Sequence, residues 1–154
     1  YREKIRHLAV GLYRHDNIFV VGRGQSYPAA LEAALKIKEI SYIHAEGLAG
    51  GELKHGPIAL IDTGTPCLVI APQDETYSDV LSGAMEMKAR GGFIIGLSSQ
   101  PNEIFDVYLP VPDCGNATII PNVVVAQVLA YELALARGLD PDKPRNLAKS
   151  VTVK

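Results

Sequence analysis

Acidic and basic side chains are concentrated in the segment KEISYIHAEGLAGGELKHGP, which occupies residues 38–57. Glu39 lies in this segment, and Lys36 stands one helical turn before Glu39. A helix would therefore place both side chains on one face. A carboxylate in a partly apolar pocket can have its pKa raised enough to transfer protons near neutral pH. The same spacing is also typical of a solvated row of ion pairs formed by Glu32, Lys36 and Glu39. Spacing alone leaves both interpretations open.

Histidine provides a second candidate for acid–base chemistry. His55 stands in the sequence ELKHGP, directly after a glycine-rich stretch at residues 47–51 that predicts a flexible turn. A histidine in a loop is usually exposed to solvent, and it can also exchange protons near neutral pH. Neither His44 nor His55 belongs to an HxxH or HExxH pattern or to a Cys/His cluster. We therefore expect no metal site.

Two further segments contain groups that could contact a ligand. The loop GRGQSYP, at residues 22–28, has glycines that would let backbone amides approach a phosphate at a helix N-terminus. It lacks the GxGxxG and GxxxxGK(S/T) patterns, so a purely structural turn is the competing interpretation. Near the C-terminus, Lys149 would ordinarily be solvated. If it were desolvated, it could lose its proton and attack a carbonyl carbon as a neutral amine.

Apolar runs and amphipathic stretches alternate along the chain and predict the elements that position these residues. Short unbroken apolar runs predict buried strands at residues 18–21, 66–72, 91–99 and 107–112. Helical spacing predicts helices at residues 1–13, 26–43, 78–90 and 119–139. In the second helix the inward face comprises Ala30, Ala33, Ala34, Ile37 and Ile40, and in the third it comprises Val80, Leu81, Ala84 and Met85.

Strands that alternate with helices predict a parallel sheet covered on both faces, that is, a doubly wound, three-layer αβα sandwich. The length of 154 residues suits a single domain, which we place at residues 1–139. The remaining stretch, DPDKPRNLAKSVTVK at residues 140–154, contains two prolines and no helical stripe, so we expect an extended tail.

Composition excludes several classes of protein. A hydrophobic fraction of 47% is too high for a disordered chain. A formal charge of -2 without a basic run argues against binding to nucleic acid or to an anionic membrane. We find no apolar run near the ~20 residues of a membrane span. Cys67 and Cys114 lack metal-ligand spacing, and free thiols suit a reducing compartment, so we expect a soluble cytoplasmic protein.

The stretch EAALKIKEISYIHAEGLAGGELKHGPIALID and the closing DPDKPRNLAKSVTVK resemble the glucosamine-6-phosphate synthase family, the glutamine:fructose-6-phosphate aminotransferases. The resemblance is to the second sugar isomerase (SIS) subdomain and the C-terminal tail, with a variable middle at residues 73–100. It implies a five-stranded parallel sheet flanked by helices. It also implies conversion of fructose 6-phosphate and ammonia from glutamine to glucosamine 6-phosphate, without a metal or organic cofactor.

The resemblance implies a role for each candidate residue. Glu39 is the base that moves a proton between C1 and C2 of the sugar, and Lys36 assists proton transfer at the adjacent oxygens. His55 opens the furanose ring in the pocket of a neighbouring subunit, which implies a homodimer. Lys149, beside the Ala148 backbone, forms a Schiff base with the open-chain ketose. The tail would thus contribute to the active site.

The resemblance leaves out parts of the family's enzyme. The glutaminase domain and the first SIS subdomain have no counterpart in the 154 residues, so we expect a catalytic fragment with little or no activity alone. The GRGQSY loop also lacks the serine and threonine cluster that holds the sugar phosphate in the first subdomain. Two alternatives remain: a stand-alone SIS module that binds a phosphosugar without turnover, and a deaminase-type isomerase of amino-sugar phosphates. The intact Glu39, His55 and Lys149 favour an enzyme, and the KSVTV ending favours the synthase.

Overall fold

Five strands form the central sheet of the structure, a computed structural model that describes residues 1–147. The strands are β1 (Asn17–Gly22), β2 (His44–Ala49), β3 (Pro66–Ile70), β4 (Phe93–Ser98) and β5 (Val107–Pro110). All neighbouring pairs are parallel, in the order β2–β1–β3–β4–β5. After β1 the chain forms β2, which lies at one edge of the sheet. The chain then crosses to the other side of β1, where β3, β4 and β5 are added in order.

Within residues 1–147, four α-helices and three short 3-10 helices flank or connect the strands. The α-helices are α1 (Arg2–Leu12), α2 (Ser26–Ser41), α3 (Tyr77–Lys88) and α4 (Ile119–Ala136), and the 3-10 helices are Gly50–His55, Pro57–Leu60 and Gly115–Ala117. Three α-helices lie within a stretch that the apolar periodicity predicted, and α3 begins one residue before its predicted stretch. In α3 the prediction for Met85 was wrong: its side chain is 56% exposed, and Met87 is buried instead.

Two apolar layers cover the two faces of the sheet. Alternate strand residues such as Ile18 and Val20 pack against α1, α2 and α4, whereas Phe19 and Val21 pack toward α3 and the 3-10 helices. Period-two alternation explains this division, because successive strand side chains point to opposite faces. Strand β3 is buried at every position, as expected for a strand covered on both sides. The predicted three-layer αβα sandwich is confirmed.

Strand β2 corrects the expectation of a flexible glycine turn at residues 47–51. Residues His44–Ala49 pair in register with β1, from Asn17 opposite His44 to Gly22 opposite Ala49. Gly47 is needed for close packing rather than for flexibility, since a Cβ atom there would lie 2.9 Å from the carbonyl oxygen of Ala30. The sequence HAEGLA contains no apolar run, so only its pairing with β1 makes it a strand.

Helix α4 corrects the expectation that no segment approaches the length and apolar character of a membrane span. The segment Gly115–Ala136 is long and apolar enough to cross a membrane by length and composition alone. In the structure α4 packs against α2 and α1, and its buried Glu132 accepts a hydrogen bond from Arg2 Nε at 2.7 Å. These contacts are those of a core helix. Its apolar character reflects burial between neighbouring helices, because a helix that is hydrophobic all round is suited to a protein core.

Candidate functional site

Helix α2 places Lys36 and Glu39 side by side. The helix buries an alanine-rich face against β1, β2 and α4, which leaves the opposite edge for polar residues. Lys36 Nζ donates a hydrogen bond to Glu39 Oε2 at 2.7 Å and lies 3.6 Å from Glu32 Oε1. The side chains of Lys36 and Glu39 are each 30% exposed, so the pair is open to a ligand without being fully solvated. The predicted arrangement on one helix face is confirmed.

The electrostatics of the pair keep Lys36 charged. The hydrogen bond to Glu39 raises the pKa of the Lys36 ammonium, and this effect exceeds the lowering by partial burial. Glu39 therefore faces a permanent cation at neutral pH. Chemically, such a pair offers a carboxylate that can accept a proton and an ammonium that can donate a hydrogen bond to a nearby oxygen.

His55 lies near the opposite end of the strands from Lys36 and Glu39. It ends the 3-10 helix Gly50–His55, which follows the carboxyl end of β2, and its side chain is 71% exposed. Its Nδ1 lies 3.0 Å from Glu52 Oε2. Glu39 lies near the end of α2, which runs antiparallel to the strands, so it is close to their amino ends. The structure therefore brings Lys36 and Glu39 together but does not bring His55 to them within one chain.

The short helix that carries His55 is held firmly to the body of the domain. Leu53 is 1% exposed and packs in the core on the α3 side, and Lys54 Nζ lies 2.8 Å from Glu86 Oε1 on α3. Gly56 follows with φ 145°, a conformation that favours glycine. These contacts point His55 outward from a fixed base, which a flexible turn would not do.

The C-terminal segment returns to the end of α2. The backbone amide of Arg145 donates a hydrogen bond to Tyr42 Oη at 2.7 Å, and the Arg145 guanidinium carbon lies 4.1 Å from the centre of the Tyr42 ring. Ala148 and Lys149 lie outside the described residues. Tyr42 was not predicted from the sequence, because no local spacing connects two residues 103 positions apart.

The GRGQSYP loop borders a small cavity at the carboxyl edge of the sheet. Gln25 and Ser26 line it, and Ser26 is 5% exposed. The opposite wall carries three carboxylates, those of Asp74, Glu75 and Asp113. These three residues are exposed to solvent, and their negative charges, although screened by water and salt, disfavour a phosphate in the cavity. The structural interpretation of the loop is thus the better one.

Neither metal nor reactive-thiol chemistry has a visible framework in the part of the chain that the structure describes. Within residues 1–147, no three His, Cys, Asp or Glu side chains are grouped as in a metal site. Cys67 is buried and Cys114 is exposed, and both are free thiols. Burial raises the pKa of the Cys67 thiol to about 12, so this cysteine remains protonated and unreactive at neutral pH.

Comparison with known proteins agrees with the fold and with the resemblance of the motifs. The sequence model of the SIS domain matches residues 11–137. The chain belongs to the SIS domain family. This SIS domain is similar to the glutamine–fructose-6-phosphate aminotransferase (isomerizing) of Pyrococcus horikoshii, with 51% identity over 98% of the chain. The match spans 26% of that relative's length.

Solved structures also match the chain to one part of a longer protein. The SIS domain is similar to the C-terminal domain of glucosamine-fructose-6-phosphate aminotransferase from Francisella tularensis, with a TM-score of 0.82, 38% identity, and coverage of 92% of this chain and 42% of that chain. It is also similar to a glucosamine-6-phosphate deaminase from Thermotoga maritima, with a TM-score of 0.75, 25% identity, and coverage of 97% and 46%. The chain spans about a quarter of the curated relative and less than half of each solved chain.

Proposed function

We propose that this SIS domain is the catalytic half of the isomerase portion of a glutamine–fructose-6-phosphate aminotransferase (isomerizing). In this proposal a longer cytoplasmic enzyme supplies a glutaminase domain and another SIS subdomain, and the product is glucosamine 6-phosphate. Residues 1–139 form the SIS unit and residues 140–154 form the tail that completes the site. The observation that carries the proposal is the Lys36–Glu39 pair, with 2.7 Å between Nζ and Oε2.

The proposed reaction requires a group that exchanges protons with the sugar ring to open it, an amine and a carboxylate. Once the ring is open, the neutral Lys149 amine attacks the C2 carbonyl of the ketose, and loss of water leaves an imine. Ammonia then displaces the Lys149 amine from this imine, which frees the lysine and leaves the transferred nitrogen on C2 as a ketimine. The ketimine makes the C1 hydrogens more acidic, so Glu39 can take a proton from C1 and return it at C2, while the C1 hydroxyl loses its proton to become the aldehyde. Lys36 lies beside Glu39 and donates a hydrogen bond to the oxygen at C1 as negative charge develops there. These steps need no metal or organic cofactor.

His55 has the role of opening the furanose ring in the active site of a neighbouring subunit. Its outward orientation and its separation from the Lys36–Glu39 pair within one chain support this role. A homodimer with two equivalent sites is the simplest assembly that places His55 beside another chain's Glu39.

The chemical test of the proposal is reduction with borohydride in the presence of fructose 6-phosphate, followed by peptide mass mapping of the longer enzyme that contains this chain. We expect a reduced sugar adduct on Lys149. A Lys149→Arg variant keeps the charge but cannot form the imine, so the adduct should disappear. Lys143→Arg is the matched control, because Lys143 belongs to the same tail and plays no part in the proposed chemistry. An adduct that persists in Lys149→Arg, or that is absent from the wild-type enzyme, would refute the Schiff-base step.

The similarity to the Thermotoga maritima deaminase supports a second candidate, an isomerase that releases ammonia from an amino-sugar phosphate. The two functions differ in the direction of nitrogen transfer. An assay of ammonia release from glucosamine 6-phosphate, run beside an assay of glucosamine 6-phosphate formation from glutamine, separates them. A phosphosugar-binding module without turnover would give neither product.

A further inference from the structure

Helix α4 has one apolar face that the described part of the chain, residues 1–147, leaves uncovered. We call this face the α4 stripe, and its residues are Ile120, Val124, Val128, Tyr131 and Leu135. Val128 is half-buried, and the exposed fractions of the other four run from 38% at Tyr131 to 62% at Ile120. Packing against α1 and α2 accounts for the opposite side of α4 only, and buried residues make up 44% of its apolar stretch.

The spacing of the α4 stripe is that of a helix–helix contact. Successive members are four, four, three and four residues apart, so they stay in one line along the helix. From Ile120 to Leu135 the stripe runs roughly 22 Å along the helix axis. An apolar line of this kind packs into the groove of another helix at a shallow crossing angle. Single apolar residues scattered over a surface would lack this regularity.

The stripe also borders a groove whose walls are held in place. The groove has a volume of about 370 Å³ and is lined by Arg2, Val124, Gln127, Val128 and Tyr131. The Arg2 guanidinium carbon lies 5.4 Å from the centre of the Tyr131 ring, and Arg2 Nε donates a hydrogen bond to the buried Glu132. Tyrosine and arginine are among the residue types that most often anchor protein–protein interfaces. The groove can therefore accept a side chain from a packing partner.

The surface around His55 is a poor match for the stripe. The 3-10 helix that ends at His55 packs toward α3, on the other face of the sheet from α4. Its exposed side chains include the charged or polar Glu52, Lys54 and His55, whereas Leu53 is buried. A second copy that docks through its His55 segment thus brings a polar surface. The α4 stripe requires a different, apolar neighbour.

We propose that the α4 stripe is the surface on which the other SIS subdomain of the longer enzyme docks, helix against helix. This inference rests on the proposed function, which supplies that subdomain, and it assigns the subdomain a contact surface. The two solved relatives described above are matched over 42% and 46% of their length, so each contains further chain of about the size of this domain. A subdomain in the same chain meets the stripe at a high effective concentration.

Symmetry and position both suit this partner. Another unit of the same fold has a helix in the position of α4, so two such units can bury these helices against one another about a pseudo-two-fold axis. Because α4 packs directly against α2, a subdomain on the stripe also stands next to the helix that carries Lys36 and Glu39. The docked subdomain would thus form one wall of the proposed active site.

Cysteine labelling measures whether the stripe is covered. In the longer enzyme, Gln127→Cys places a thiol at the groove, and Met85→Cys is the matched control because both are exposed helical positions on opposite sides of the sheet. Peptide mass mapping separates the new thiols from the native Cys67 and Cys114. We expect a maleimide to modify position 127 more than about tenfold more slowly than position 85, because a covered thiol reacts only when the subdomains separate. In urea the two rates should be equal.

A photo-crosslinking amino acid identifies the neighbour. With p-benzoylphenylalanine at position 127, irradiation should join that position to a peptide of the other SIS subdomain, without doubling the mass of the denatured chain. A doubled mass with a link to a second copy of this domain, or a link to residues 148–154, would overturn the inference. Equal labelling at positions 127 and 85 in the native enzyme would overturn it as well.

A charge on the stripe tests its importance for the reaction. Val124→Glu places a carboxylate within the stripe, and Met85→Glu is the control, since Val124 and Met85 are 50% and 56% exposed. We expect glucosamine 6-phosphate formation to fall by more than about tenfold in Val124→Glu alone, with glutamine hydrolysis unchanged, because an unpaired charge is excluded from an apolar contact. Unchanged synthesis in Val124→Glu would contradict the docking. If the wild-type enzyme forms no glucosamine 6-phosphate, the proposed function fails, and the crosslink from position 127 still decides what covers the stripe.

Discussion

Lys36 and Glu39 form an ion pair one turn apart on α2, with Lys36 Nζ 2.7 Å from Glu39 Oε2 and 3.6 Å from Glu32 Oε1. Exposed pairs at this helical spacing contribute only about 0.3–0.5 kcal/mol to stability. The pair is therefore a small part of the folding free energy. Its larger consequence is chemical, because it holds a carboxylate next to a cation whose raised pKa keeps it protonated.

Replacing Glu39 tests the proposed proton transfer. In the longer enzyme, Glu39→Gln keeps the shape of the side chain but removes the base, so we expect aldose formation to fall by about 10² to 10⁴-fold while ring opening continues. The measurement is exchange of the C1 hydrogen of fructose 6-phosphate with deuterated water. Glu103→Gln, at an exposed loop position, is the control. Exchange at the wild-type rate in Glu39→Gln would contradict the assignment.

The Lys36–Glu39 pair should also have a defined pH dependence. Because the folded-state pKa of Lys36 is raised above the ordinary value of 10.5, the stabilisation is complete below pH 10.5 and is lost as the pH rises through the folded-state pKa. A double-mutant cycle of Lys36→Met and Glu39→Gln, measured by urea unfolding, should give a coupling of about 0.5 kcal/mol at pH 7. The coupling should disappear above the folded-state pKa. A coupling that grows with pH would be inconsistent with the cation on Lys36.

Subunit mixing tests the role of His55 across a dimer interface. If His55 serves the neighbouring site, a dimer of one Glu39→Gln chain and one His55→Ala chain contains one intact site, although each variant alone is inactive. Random mixing of equal amounts should then restore about a quarter of the wild-type activity, since half of the dimers are mixed and each has one of two sites. If His55 acts in its own chain, the mixture remains as inactive as its components.

Close packing of β2 against α2 predicts the effect of a single methyl group. Gly47→Ala would place a Cβ 2.9 Å from backbone atoms of Ala30 and Leu31, so we expect the free energy of unfolding to fall by about 1–3 kcal/mol. Gly51→Ala is the control, because the nearest atom to its added Cβ is the Arg23 side chain at 3.6 Å. Urea unfolding of both variants provides the comparison. Equal stability of the two variants would show that β2 can move away from α2.

The features that sequence predicted correctly are those encoded by neighbouring residues. The apolar runs of β1, β3 and β4 and the alanine face of α2 are local patterns, and they predicted both the parallel sheet and its two helical layers. The pairing of Lys36 with Glu39 follows from their spacing once α2 is a helix. Motif resemblance added the proposed chemical roles, which no spacing rule contains.

The features that sequence missed depend on contacts between distant parts of the chain. The stretch HAEGLA reads as a turn by composition and becomes a strand because β1 supplies its hydrogen bonds and α2 covers Gly47. Helix α4, by contrast, was predicted from its apolar sequence, and the tertiary structure adds which neighbours, α1 and α2, pack against it.

The sequence by itself determined the order of the α-helices and of strands β1, β3, β4 and β5, the helix that carries Lys36 and Glu39, and the presence of His55 and Lys149, because each depends on residue identity or local periodicity. Only the tertiary structure decided that Arg145 returns to Tyr42 and that His55 and its own Glu39 lie near opposite ends of β2. The physical reason is that a chain reversal is stabilised by contacts whose partners are far apart in sequence. Such contacts exist only once the sheet has brought the elements together.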